Sequence, residues 1–198
     1  MDYSVKHYIK HLPMQVMREQ YQDRDKHLGY CRQCPRYDKI WSCPPLSIDV
    51  EEFLGQYSWA YLVCSKINLD SGLIQSTAGT KNINDIGWDI MSAVKLDMDD
   101  RLRQLEASVP GSITLSATAC NLCEECTRKS GLPCCQPDKM RYAIDAFGFK
   151  IVDITKDVFS IDIQWTTDRL PEYYTLVHGF LTKDEVSEAL WSEIIGKG

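Results

Sequence analysis

The chain has 198 residues, of which 44% are hydrophobic and 25% charged, with a net charge of −6 and nine cysteines. That length suits a single domain over residues 1–198, large enough to bury a core without cross-links. The acidic balance excludes a general nucleic-acid binder. No run of about 18 apolar residues is present, so no membrane partner is expected. The start, Met1-Asp2-Tyr3-Ser4-Val5-Lys6-His7, carries no apolar run behind a basic stretch, and a cytoplasmic protein is expected.

Taken in order, Pro13 to Leu28 reads as a helix, with Val16, Met17 and Tyr21 at helical spacing and Gly29 as its stop. Residues 30–45 read as a cysteine-rich loop, because Pro35, Pro44 and Pro45 forbid regular structure. Ser47 or Asp49 can cap a short helix through Gln56. Trp59 to Ile67, aromatic and β-branched, reads as a buried strand. Leu69 to Thr80 reads as a surface loop. Asn84 can cap a helix from Asp85 to Ser108, whose stripe is Ile86, Ile90, Val94, Met98, Leu102 and Leu105.

Ser112 to Thr118 alternates as a strand does and leads into a second cysteine-rich loop, residues 120–137. Pro137 can open a helix that Gly148 closes. A short helix at Ile151–Val158, strands at Ile161–Trp165 and Tyr173–Leu181, and a helix at Asp184–Ile195 complete the chain. Strand, long helix and strand imply a parallel pair joined by a right-handed crossover. With a late hairpin added, the expected class is α+β, a mixed sheet with packed helices, and α/β is the alternative.

The chemistry concentrates in the cysteines. Cys120, Cys123 and Cys126 follow C-x-x-C-x-x-C, the spacing that wraps a chain around an iron–sulfur cubane. Cys134 or Cys135 can supply the fourth thiolate. Zinc is the competing metal, although its structural sites usually arrive as two C-x-x-C pairs. Cys31, Cys34 and Cys43 form a second group, C-x-x-C-x8-C followed by Pro44-Pro45. The groups can make two clusters, Cys43 can complete the downstream triplet, or seven thiolates can line one composite site. An odd count of cysteines with these spacings suits metal better than disulfides.

Other residues are weaker candidates. His27, four residues before Cys31, could be a ligand or a favourable charge at a helix end. His7 and His11 are spaced for a helical metal grip, but in a segment expected to be loose and solvated. His178 and Cys64 lie in apolar strands and read as core. Tyr37 and Trp41 could shield a cluster. Arg36, Lys39, Arg128 and Lys129 put positive charge near both groups, where it could dock an acidic partner.

The run from Tyr30 through Cys31, Cys34, Trp41 and Cys43-Pro44-Pro45, with Cys120-Asn-Leu-Cys-Glu-Glu-Cys126 and Pro133-Cys-Cys-Gln-Pro137, resembles a bacterial and archaeal family of cysteine-rich predicted metal-binding proteins. The resemblance spans Val16 to Leu181. It implies Cys31, Cys34, Cys43, Cys120, Cys123, Cys126 and Cys134 as metal-site residues. Cys135 stands where such proteins usually carry arginine, which leaves Cys134 and Cys135 both open as the ligand. The family implies metal binding and names no reaction.

Three functions follow. The first is a [4Fe-4S] protein with one or two clusters, acting as an electron-transfer module for a redox partner protein. The second is a structural zinc protein acting through a partner. The third is an enzyme whose open cluster iron meets a small substrate.

Overall fold

The structure is a computed structural model that describes residues 2–196. Its centre is a four-stranded sheet in the order β1-β2-β4-β3, formed by β1 (Tyr3–Pro13), β2 (Trp59–Leu69), β3 (Ile113–Leu115) and β4 (Tyr173–Thr182). All three strand pairings are antiparallel. The class is α+β as expected, but the sheet is not mixed. β2 and β3 do run the same way, yet β4 lies between them, so the long helix joins strands that are not neighbours. An isolated parallel bridge joins Ser116 to Ala143.

The helices are α1 (Met14–Tyr21), α2 (Arg24–Gln33), α3 (Val50–Leu54), α4 (Ser71–Thr77), α5 (Ile83–Ser108), α6 (Ile151–Phe159) and α7 (Glu188–Ile194). They cover both faces of the sheet. Side chains alternate along a strand, so Ala60, Leu62 and Cys64 face a core built with Met17, Phe147 and Ile154. Tyr61 and Val63 point the other way, onto Met98, Leu102 and Leu105 of α5. At 26 residues, α5 is about 39 Å long. Its apolar stripe forms as the spacing predicts.

Several expectations are corrected. The N-terminal segment is the edge strand β1, paired with β2 along its whole length from Tyr3–Leu69 to Pro13–Trp59. Tyr3, Val5 and Ile9 supply the period of two that marks it. The helix expected over 13–28 is two helices. Gln22 leaves the helix to bridge Phe149, and Asp23 caps α2 by accepting from the Lys26 N–H. Gly29 lies inside α2, so Cys31 sits on a helix and not in a loop. Asp70 caps the unforeseen α4.

No helix runs from Pro137 to Gly148. The stretch is irregular until a short 3-10 turn, Ile144–Phe147, which Gly148 does terminate at φ 84. The strand expected at 161–165 is absent as well. There Gln164 spends its side-chain oxygen on the Glu172 N–H at 3.0 Å, just before β4. Among the described residues, no helix is long and apolar enough to cross a membrane.

A candidate thiolate metal centre

β3 aims the second cysteine group. Beyond Leu115 the chain stays buried through Ala117 and then reaches Cys120. From there to Pro137 the backbone is irregular, apart from a 3-10 turn at Thr127–Ser130 closed by Gly131 at φ 68. The loop folds back on itself through the Thr127 hydroxyl, which donates to the Pro133 carbonyl at 2.8 Å. As a result Cys120, Cys123, Cys126, Cys134 and Cys135 line one narrow cleft of ≈ 30 Å³, closed by Ile40, Trp41, Leu122 and Met140.

Hydrogen-bond donors point at these sulfurs. The Gln136 backbone N–H donates to Cys134 Sγ at 3.4 Å. The Gln136 side-chain amide reaches Cys123 Sγ at 3.9 Å. Cys123 and Cys135 sulfurs lie 3.0 Å apart. That hydrogen bond, with burial and the Cys135 charge, pushes the Cys123 thiol up to about 11. Burial also raises Cys120, against the pull of the Leu122 N–H and of Lys95.

The first group is held separately. Cys31 is in the last turn of α2 and Cys34 caps that helix. A chain of tight turns with Asp38 at φ 56 then carries the backbone to Cys43. Cys43 is buried, and burial pushes its thiol up to about 12 although Ser42 opposes this; the charges of Asp145, Cys34 and Cys31 add to the rise. Burial, Asp145 and Cys34 raise Cys31 too. Cys43 therefore shares its surroundings with Cys31 and Cys34, and its side chain does not line the downstream cleft. Asp145 carried no signal in the sequence, because only the packing of α2 on the 144–147 turn brings it there. Cys31 opens onto a groove of ≈ 630 Å³ that Arg24, Arg32 and Tyr37 also line.

Three side chains fasten the groups together. Arg128 donates to the carbonyls of Ile40, Cys43 and Pro45 and to Asp38 Oδ1, at 2.8–3.1 Å. It also lies over the Trp41 ring. Trp41 Nε1 donates back to the Leu132 carbonyl at 3.2 Å. Ser42, fully buried, accepts the Cys120 N–H on its hydroxyl at 2.8 Å. Of the basic residues read as a docking surface, Arg128 is thus an internal brace. Arg36 stacks on Trp88, and Lys129 pairs with Glu125.

The histidines are placed elsewhere. His27 donates its Nδ1–H to the Asp23 carbonyl at 2.9 Å, in the first half of α2. His7 shares a hydrogen bond with Ser65, and His11 packs on Trp59 and Tyr61. His178 is fully buried, 3.4 Å from Asp99. Cys64 is buried in the core, and burial pushes it up to about 12. All nine cysteines are free thiols. Among the described residues, no three His, Cys, Asp or Glu side chains are grouped closely enough to hold a single metal ion.

An α+β domain that gathers eight free thiols into two braced, neighbouring groups has the make-up of a metal-binding protein. The chain belongs to the DUF2284 family of predicted metal-binding proteins, whose pattern matches residues 16–178 and so takes in both cysteine groups and all of the sheet but β1 and the end of β4. No curated protein and no solved structure matches the chain.

Proposed function

We propose that the protein binds an iron–sulfur cluster, most simply [4Fe-4S], in the downstream cleft, with Cys120, Cys123, Cys126 and Cys134 as its thiolates, and that it serves as an electron-transfer module for a partner protein in the reducing cytoplasm. The observation that carries this reading is the convergence of five thiols, with N–H donors aimed at two of them, on one cleft. Tetrahedral zinc needs four donors at about 2.3 Å from one point. Structural zinc sites usually draw those donors from two C-x-x-C pairs, whereas Cys120, Cys123 and Cys126 form one C-x-x-C-x-x-C run. A cluster takes thiolate ligands around several irons, so its ligands stand further apart.

When bound, the cluster would supply one-electron redox chemistry. The chain's own part is to hold thiolates, to donate N–H groups to sulfur, and to keep Trp41, Ile40 and Met140 between the cleft and water. Sulfur hydrogen bonds and exposure are what set a cluster's potential.

A second reading attaches to the upstream group. Of its three thiols, Cys31 lines an open groove, which suits a cluster with an iron left open to a small substrate.

Anaerobically purified protein tests the first reading. It should be brown and release acid-labile sulfide. A colourless protein holding stoichiometric zinc would contradict it and favour a structural zinc site.

A further inference from the structure

A charged cluster lies under the sheet, behind the cysteine loop. Lys95 and Asp99, one turn apart on α5, are 2% and 3% exposed. Lys95 Nζ donates to Asp99 Oδ2 at 2.8 Å and to Asn121 Oδ1 at 3.0 Å. The Ser116 hydroxyl donates to Asp99 Oδ1 at 2.8 Å. His178, fully buried on β4, places Nε2 3.4 Å from the same oxygen, short of a hydrogen bond. Elsewhere on α5, Asp97–Arg101 and Asp100–Arg103 are ion pairs with at least one partner open to water.

Burying an ion pair is expensive, and well-packed apolar side chains in its place are often as stable or more so. Stability alone therefore does not account for this pair. Its partners say what it touches. Ser116 is where the chain leaves β3, and Asn121 directly follows Cys120. One turn of α5 thus grips both ends of the segment that enters the cysteine loop. The Ser42 hydroxyl accepts the Cys120 N–H at 2.8 Å as well.

We propose that Lys95 is a positioning residue of the metal centre: held by Asp99, it fixes the Cys120–Asn121 step and sets its ammonium on the residue that follows Cys120. This rests on the reading of the downstream cleft as a thiolate metal site. Groups that orient metal ligands from behind typically change metal affinity by about 10- to 100-fold when lost. A cation beside the cluster also favours the reduced, more negative state.

Two variants test it. Asn121→Ala cuts the link to the loop and leaves the ion pair in place. The double variant Lys95→Met/Asp99→Asn neutralises both charges together, so neither is stranded. Each should keep the wild-type circular dichroism spectrum and lose metal to a competing chelator about 10-fold faster than wild type. The double variant should also show a more negative reduction potential, which a purely structural role would not produce. If wild-type protein holds metal, and both variants release it at the wild-type rate with an unchanged potential, the proposal is overturned. If wild-type protein holds no metal, the reading of the cleft fails instead.

Discussion

Arg128 donates an N–H to the carbonyl of Cys43 at 2.9 Å, across 85 residues of sequence. The bond joins the two cysteine segments directly, and three more acceptors on the first segment take N–H groups of the same guanidinium. Its side chain is 10% exposed. Replacing Arg128 with methionine strands these acceptors, and chemical denaturation should show a loss of about 2–4 kcal/mol. Lysine should restore only part, because it cannot fork to several acceptors at once. An unchanged denaturation midpoint in Arg128→Met would show that the brace contributes nothing.

The fourth thiolate can be assigned by substitution. Cys134 accepts the Gln136 N–H, whereas Cys135 is exposed and meets only Cys123 in the hydrogen bonds of the cleft. Cys134→Ser should lose most of its iron and sulfide, and Cys135→Ser should retain both. The reverse pattern, measured by elemental analysis, would exchange their roles.

Asp99 gives a pH test with a definite sign. Burial alone would raise its carboxyl, but His178 and Lys95 outweigh burial and hold it well below the usual carboxylate range. A carboxyl depressed on folding contributes stability above its unfolded pKa of about 3.9 and loses it as the pH falls through the folded value. Asp99→Asn should cost about 3–5 kcal/mol at neutral pH, since it leaves Lys95 buried without its counter-charge. The gap from wild type should narrow steadily below pH 4. A gap that is constant with pH would remove the ion pair from the account.

Gly148 is constrained twice. Its φ of 84 disfavours any side chain, and an added Cβ would lie 2.7 Å from the Cα of Arg24, at the start of α2. Gly148→Ala should cost about 3 kcal/mol by thermal or chemical denaturation. It should also disturb the first cysteine group, because α2 ends in Cys31 and Cys34. A fully stable Gly148→Ala protein would contradict this close approach.

What the sequence disclosed follows the range of the interactions. The C-x-x-C spacings and the stripe Val94, Met98, Leu102 and Leu105 are local patterns; the stripe packs on the sheet as read, and Cys120, Cys123 and Cys126 line one cleft. Asp49 as the cap of α3 and Gly148 as a helix stop are local too. The period of two in Tyr3, Val5 and Ile9 was present, but the polar residues between them obscured an edge strand. The position of β4 between β2 and β3 could not be read, because pairing over such separations depends on the whole core. For the same reason Arg128 looked like a surface charge, since its acceptors lie about ninety residues upstream. Lys95 and Asp99 did leave a trace, as two charges one turn apart on the buried side of a helix between Val94 and Leu102.

The most direct test of the central claim is an iron and acid-labile sulfide count on two anaerobically purified proteins. One is the wild type, and the other is the Cys120→Ser/Cys123→Ser/Cys126→Ser variant. A cluster in the downstream cleft gives about four iron and four sulfide per chain in the wild type, and loss of that complement in the variant. Equal iron and sulfide in both proteins, or zinc without sulfide in the wild type, would contradict it.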